Sequence, residues 1–173
     1  MATQSGVKLV DPICTLAFTT HVEVGPWQVV GNMGRGVRRI LPMLGGTFHI
    51  PEQKAGTFRT PEVKGTVLGG ADWQILHSDS LAELDARITL KTDDGHHLLL
   101  RASGRRFAPP DVLKRLVAGE PVGRDEYYGV SATVVETDAP GLGWMNYHQF
   151  IGNARTEGHM HHVRYFAIDY PTG

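Results

Sequence analysis

The chain has 173 residues, 41% apolar and 20% charged, with a net charge of −1 when the histidines are neutral. That length serves one ordinary globular domain with a sizeable core, and that composition excludes wholesale disorder. The basic residues are scattered, which speaks against a nucleic-acid partner.

Residues 1–12 are expected to form a loose N-terminal arm. They lack the basic start and apolar centre of a signal peptide, and no run in the chain approaches the ~18 apolar residues of a membrane-spanning helix. The single cysteine, Cys14, excludes an intrachain disulfide framework. A cytoplasmic protein with no membrane partner is the expectation. "ICTLAFTTHVEV" (13–24) reads as a first strand. "GRGVRRILPML" (34–44) mixes cations with apolar residues, and Pro42 limits its use as a central strand. Residues 45–78 hold two or three strands separated by glycine and proline. Within them "GGADWQ" (69–74) reads as a sharp turn or bulge that presents Asp72 and Trp73.

Residues 82–106 give the clearest local signal, two strands joined at Asp93, Asp94 and Gly95 in a β-hairpin. "APPDVLKRLVAGEPVG" follows as the one helix. Its prolines suit a helix entrance, Asp111 complements the first-turn dipole, and Val112, Leu113, Leu116 and Val117 form an apolar stripe before Gly119. "YYGVSATVVET", "GWMNYHQFIGN" and "HHVRYFAIDY" return to strands. The pattern predicts one all-β domain, a sandwich or barrel of eight or nine strands with a single helix inserted late.

Alternate residues of a strand face opposite sides. Leu84, Ala86, Ile88 and Leu90 therefore oppose Asp85, Arg87 and Thr89. Leu98, Leu100 and Ala102 oppose His97, Leu99, Arg101 and Ser103. Tyr128 shares a row with Glu136, while Trp144, Asn146, His148 and Phe150 form another. Rows that mix aromatics with a few polar groups suit a small-molecule pocket inside a barrel, or the wet side of a sandwich. Parity alone does not say which face points inward.

Asp72 is either a presented acid or a carboxylate that fastens its own turn. Asp85 and Arg87 are either a substrate-binding pair or a structural ion pair. His159 and His161 could share a metal with His21 or His148, although no zincin, zinc-finger or facial-triad spacing is present. "GNMGRG" lacks the βαβ setting of a nucleotide loop, and no G-x-S-x-G elbow marks a serine hydrolase. Of Arg38 and Arg39, adjacent and on opposite faces, one is free to bind an anion.

The ordered series "GRGVRRILPMLGGTF", "GTVLGGADWQ", "LDARITLKTDDG", "LLLRASGRR", "LVAGE", "YYGVSATVVET" and "GWMNYHQFIG" resembles domain-of-unknown-function family 3237 over about residues 14–168. The resemblance implies a small antiparallel, lipocalin-like barrel with a central cavity, and so polar rows that point inward. Positions matching the family's polar pattern are Arg38, Asp72, Trp73, Asp85, Arg87, Asp94, Gly95, Glu136, Trp144 and Asn146. The segment "HIPEQKAGTFRTPEV" is longer than the family's usual link, and a lid or an oligomer contact is expected of it. Family membership brings no agreed activity.

These readings converge on a cofactor-independent enzyme performing acid–base chemistry on a small, partly apolar carbonyl compound inside the barrel. Asp72 or Asp85 would be acid or base, and Arg87 or Arg38 would stabilise an anion. Trp73, Tyr128, Glu136, Trp144, Asn146 and His148 would line the substrate. No cofactor and no metal are called for, and a homodimer through an edge strand is expected. The alternatives are a carrier barrel for a hydrophobic small molecule and, behind it, a histidine-ligated metalloenzyme.

Overall fold

The structure is a computed structural model that describes residues 10–54, 58–77, 80–118, 120–123 and 125–170. The expected arm at residues 1–12 falls mostly outside them. Nine antiparallel strands are described: β1 (Ile13–Val24), β2 (Gln28–Asn32), β3 (Val37–Ile50), β4 (Val63–Leu76), β5 (Leu81–Thr92), β6 (His97–Phe107), β7 (Tyr128–Thr137), β8 (Phe150–Glu157) and β9 (Met160–Asp169). They run in the order β1-β9-β8-β7-β6-β5-β4-β3-β2, and β1 also pairs with β3. Eight strands therefore close a barrel, with β2 as an extra strand. Closure removes the sheet edges over the barrel proper. No helix among the described residues is long and apolar enough to cross a membrane.

Pro42 lies in the middle of β3, a 14-residue strand with neighbours on both sides. The limit expected of it does not apply, because β1 and β2 run along the same edge of β3 with a break at residues 25–27 opposite the proline. The Pro42 carbonyl accepts the Gly25 N–H at 2.9 Å, and the missing proline N–H faces the break.

Residues 69–74 are not a turn; they lie within the 14-residue β4. The register against β5 shifts between Val67 and Gly69, and Gly70 adopts φ 149°. A Cβ on Gly70 would sit 2.0 Å from the Arg87 carbonyl oxygen. Glycine is required there so that β4 can bulge and cross closely over β5. The hairpin at Asp93, Asp94 and Gly95 forms as expected, with Gly95 at φ 100°.

The inward rows are the apolar ones. Ala82, Ala86, Ile88 and Leu90 of β5 and Leu98, Leu100 and Ala102 of β6 are all buried. Phe18, Phe48, Ile50 and Phe150 fill one end, which we call the lower end. Residues 51–54 and 58–62 cover that end: Phe58 stacks on Trp144 at 3.9 Å, and Gln53 donates to the Leu16 carbonyl. Residues 55–57 between them lie outside the described ones. "GWMNY" is a short 3-10 helix (Gly143–Tyr147) rather than a strand. Asn146 holds it against β7 by accepting from the Thr137 N–H and donating to the Thr137 carbonyl.

Helix α1 (Pro110–Val117) starts on Pro110 with Asp111 in its first turn. Val112 is buried, and Leu113 and Leu116 face the opposite, upper end of the barrel. The expected stop, Gly119, lies outside the described residues.

Candidate functional site

Pairing of β3 with β4 sets Leu41 opposite Asp72 and Arg39 opposite Gln74, and pairing of β4 with β5 sets Ala86 opposite Asp72. Leu41 and Ala86 belong to inward rows, so Asp72, Gln74 and Arg39 point into the upper barrel, where all three are buried. They form a directional chain. Arg39 Nη2 donates to Gln74 Oε1 at 3.0 Å, and Gln74 Nε2 donates to Asp72 Oδ2 at 2.6 Å. Asp72 Oδ1 accepts the Asp85 backbone N–H at 2.9 Å. A guanidinium only donates, so it fixes the Gln74 amide orientation and makes Asp72 an acceptor at both oxygens. Each oxygen retains a second lone pair for a proton. Asp72 thus does fasten a strand, by bonding β5, while still lining the cavity.

The row Leu98, Leu100, Ala102 and Gly104 ends on Arg106, which also faces inward. From the far wall β9 contributes His161, whose Nδ1 lies 2.9 Å from the Thr156 hydroxyl on β8. Tyr127, just before β7, donates its hydroxyl to the Ala154 carbonyl at 3.2 Å. These groups surround a cavity of about 80 Å³ whose other walls include Val22, Met43, Leu84, Ile88 and Val163. The cavity opens into a mouth of about 410 Å³ walled by Trp27, His159 and the α1 leucines. Gln74, Arg106, Thr156 and His161 line both spaces and so mark the neck between them.

Burial governs the electrostatics. It pushes the Asp72 carboxyl above the usual carboxylate range, against the lowering effect of Gln74, the Asp85 N–H and the Arg106 charge. Burial, aided by the Arg106 charge and opposed by Asp72, lowers Arg39 to about 10. Arg106 is itself lowered by burial, with Asp72 and Tyr127 opposing. Desolvation, then Arg106 and His162, bring His161 down to about 4, so its imidazole is neutral at pH 7. Burial raises Tyr165 to about 12 despite the Thr20 hydroxyl.

Of the residues given catalytic or substrate-binding roles from the sequence, the structure brings only Asp72 into this cavity; His161, weighed there as a metal ligand, also lines it, and Arg39 lines the mouth. Arg38, Trp73, Asp85 and Arg87 meet on the outer face instead. Arg38 Nη1 donates to the Trp73 carbonyl at 2.7 Å, and the Arg87 guanidinium lies 5.7 Å from the Trp73 ring centroid. Arg87 and Asp85 form an ion pair at 3.0 Å, with both side chains about half exposed. Tyr128 is 57% exposed, and Glu136 pairs outside with Arg101 at 2.6 Å. Trp144, Asn146 and His148 belong to the lower end.

The expectation of inward polar rows fails for a physical reason. A barrel with so small a cavity must fill its interior with the apolar rows, leaving the charged rows to water. The four histidines weighed as metal ligands do not converge. His159 and His161 share the mouth, while His21 pairs with His162 across β1 and β9 on the exposed side and His148 sits at the lower end. Among the described residues no group of three or more metal-ligating side chains occurs.

A family model described as "Protein of unknown function (DUF3237)" matches residues 12–169. The chain belongs to this family. A UPF0311 protein of Rhodopseudomonas palustris strain TIE-1 is 36% identical over 138 residues, 79% of this chain and 84% of the relative. Among solved structures, the R. palustris protein RPA1785 has a TM-score of 0.78 at 28% identity, covering 94% of this chain and 99% of that one. A β-barrel-like protein of Acinetobacter baumannii AYE has a TM-score of 0.73 at 31% identity, again covering 94% and 99%. A chain described as an enzyme from Penicillium herquei has a TM-score of 0.65 at 19% identity, covering 95% and 99%, a likeness of fold alone.

Proposed function

We propose that this family member is a cofactor-independent enzyme carrying out acid–base chemistry on a small, partly apolar carbonyl compound inside the upper barrel. Cyclisation, isomerisation, dehydration and carbon–carbon lyase reactions all fall within that chemistry. The observation that carries the reading is Asp72, a buried carboxylate on the cavity wall whose two oxygens are oriented by Gln74 and the Asp85 N–H. Its proton affinity is raised by burial, the direction a group needs if it is to exchange protons near neutral pH. Arg106 supplies the positive charge that would steady an enolate or alkoxide next to it. His161, neutral and hydrogen-bonded to Thr156, is a second group able to pass a proton. The existence of a barrel of this fold described as an enzyme in P. herquei is compatible with this reading.

One observation favours a second reading, a carrier: the exposed surface of the cavity wall is mainly apolar. The two readings separate when purified protein is incubated with pooled small-molecule extracts and both bound and free fractions are followed by mass spectrometry. The enzyme reading expects one metabolite to fall while an isomer, a dehydrated product or a pair of fragments rises. A bound compound recovered unchanged after prolonged incubation would establish the carrier instead.

A further inference from the structure

Within the upper barrel the charges are out of balance. Two guanidiniums, Arg39 and Arg106, face the cavity and its mouth, and Asp72 is the carboxylate beside them. Arg39 is accommodated, with a hydrogen bond to Gln74 and the Trp27 ring 3.9 Å from its guanidinium carbon. Arg106 is not. Its Nε, like that of Arg39, is buried without a hydrogen-bond partner among the described residues, and no described group holds the Arg106 guanidinium as Gln74 and Trp27 hold that of Arg39. The arginine ion pairs of the described residues, formed by Arg87, Arg101, Arg115 and Arg155, do not include it.

Asp72 acts on Arg106 through its charge alone, with no hydrogen bond or ion-pair contact between the two side chains; its oxygens accept from Gln74 and the Asp85 N–H. Four arginines nearer the surface thus have carboxylate partners, whereas Arg106, at the neck of a cavity where water cannot stand in freely, has none among the described residues. An unpaired buried guanidinium is costly, and it stays protonated across the usable pH range.

We propose that Arg106 receives the anionic group of the ligand, which is therefore an organic carboxylate or similar planar oxyanion with a small apolar body. The planar guanidinium fork matches such a group in two parallel hydrogen bonds. Behind the neck, Val22, Met43, Ile88 and Val163 provide an aliphatic wall for the apolar body, and Trp27 and Leu113 flank the mouth. The charge is then read at the neck, between Arg106 and the second guanidinium, Arg39. This rests on the upper cavity being a ligand site, and it adds the class of molecule admitted.

The test is calorimetric titration of the full chain with benzoate and trans-cinnamate, each against its uncharged amide. The acids should bind about tenfold or more tightly than the amides. Arg106→Gln should abolish that preference, and Arg101→Gln, on the outer face, should leave it intact. Equal binding of acid and amide by the unmodified protein would overturn the assignment and leave the cavity as a site for neutral molecules. A preference for the acids that survives Arg106→Gln would overturn the role of Arg106. If neither acids nor amides bind, both this inference and the cavity reading fall. The acid-to-amide ratio of the unmodified protein needs no variant, so the inference stays open to refutation even if Arg106→Gln does not fold.

Discussion

Acidification should weaken this barrel through His161 before most carboxylates respond. The imidazole falls from 6.5 when unfolded to about 4 in the folded protein. Its folded-state proton affinity is depressed, so the stability it contributes is complete above pH 6.5 and is lost as the pH falls toward 4. At about 1.4 kcal/mol for each tenfold in proton affinity, the whole effect approaches about 3 kcal/mol, and at about pH 5 it is about 2 kcal/mol. These figures are ceilings, because part of the ring meets the mouth, where water screens the added charge. For a domain of this size, 2 kcal/mol corresponds to roughly 4–8 °C in Tm. Other histidines and carboxylates also titrate, so the informative quantity is a difference between two proteins. Urea unfolding at about pH 7.5 and about pH 5 should show wild type losing up to about 2 kcal/mol more than His161→Gln, which cannot titrate. Equal losses in the two proteins, or a His161 ring resonance that titrates near 6.5, would refute the reasoning.

Two further perturbations test the frame that holds the site. Gly70→Ala places a methyl group 2.0 Å from the Arg87 carbonyl oxygen at φ 149°, so we expect little soluble protein or a loss above about 4 kcal/mol in urea unfolding. Phe58→Ala removes the ring stacked on Trp144 at the lower end and should cost about 3–5 kcal/mol in the same assay. Because that end lies away from the neck, affinity for trans-cinnamate should be unchanged in Phe58→Ala; a parallel loss of binding would place the ligand in the wrong half of the barrel.

Much of the fold was legible because its signals are local. The β5–β6 hairpin follows from alternation and from the Asp93, Asp94 and Gly95 turn, and α1 follows from its prolines and apolar stripe. Long-range context decided one local reading, turn or bulge at residues 69–74, and overrode another. The glycines at 69 and 70 look like punctuation but serve a bulge inside a continuous strand. "GWMNY" alternates like a strand, yet it winds into a 3-10 helix once Asn146 binds Thr137.

The site was less legible, since parity sorts a strand into two rows without saying which is inside. The polar rows carry Asp85, Arg87, Glu136 and Tyr128, all on the outer face. The apolar rows are the ones that run to the site: Leu98, Leu100, Ala102 and Gly104 end on Arg106, and Leu41 is followed on its face by Arg39. Gln74, two residues after Asp72, was reachable by the same parity. His161 stood out only as one histidine of a possible metal set, because its place in the cavity depends on Arg106 and Thr156, which come from other strands.

The proposed chemistry takes place inside the barrel at Asp72, and the outer carboxylate Asp85 is its natural control. Once a converted metabolite is in hand, turnover should be measured for Asp72→Asn and Asp85→Asn side by side, with unfolding curves confirming that both fold. Asp72→Asn is predicted to lower kcat/KM by at least about 100-fold, the usual loss on removing a general acid or base. Asp85→Asn retains the backbone N–H that Asp72 uses and should stay within about threefold of wild type. A folded Asp72→Asn protein with undiminished turnover, or a collapse of turnover in Asp85→Asn alone, would contradict the account.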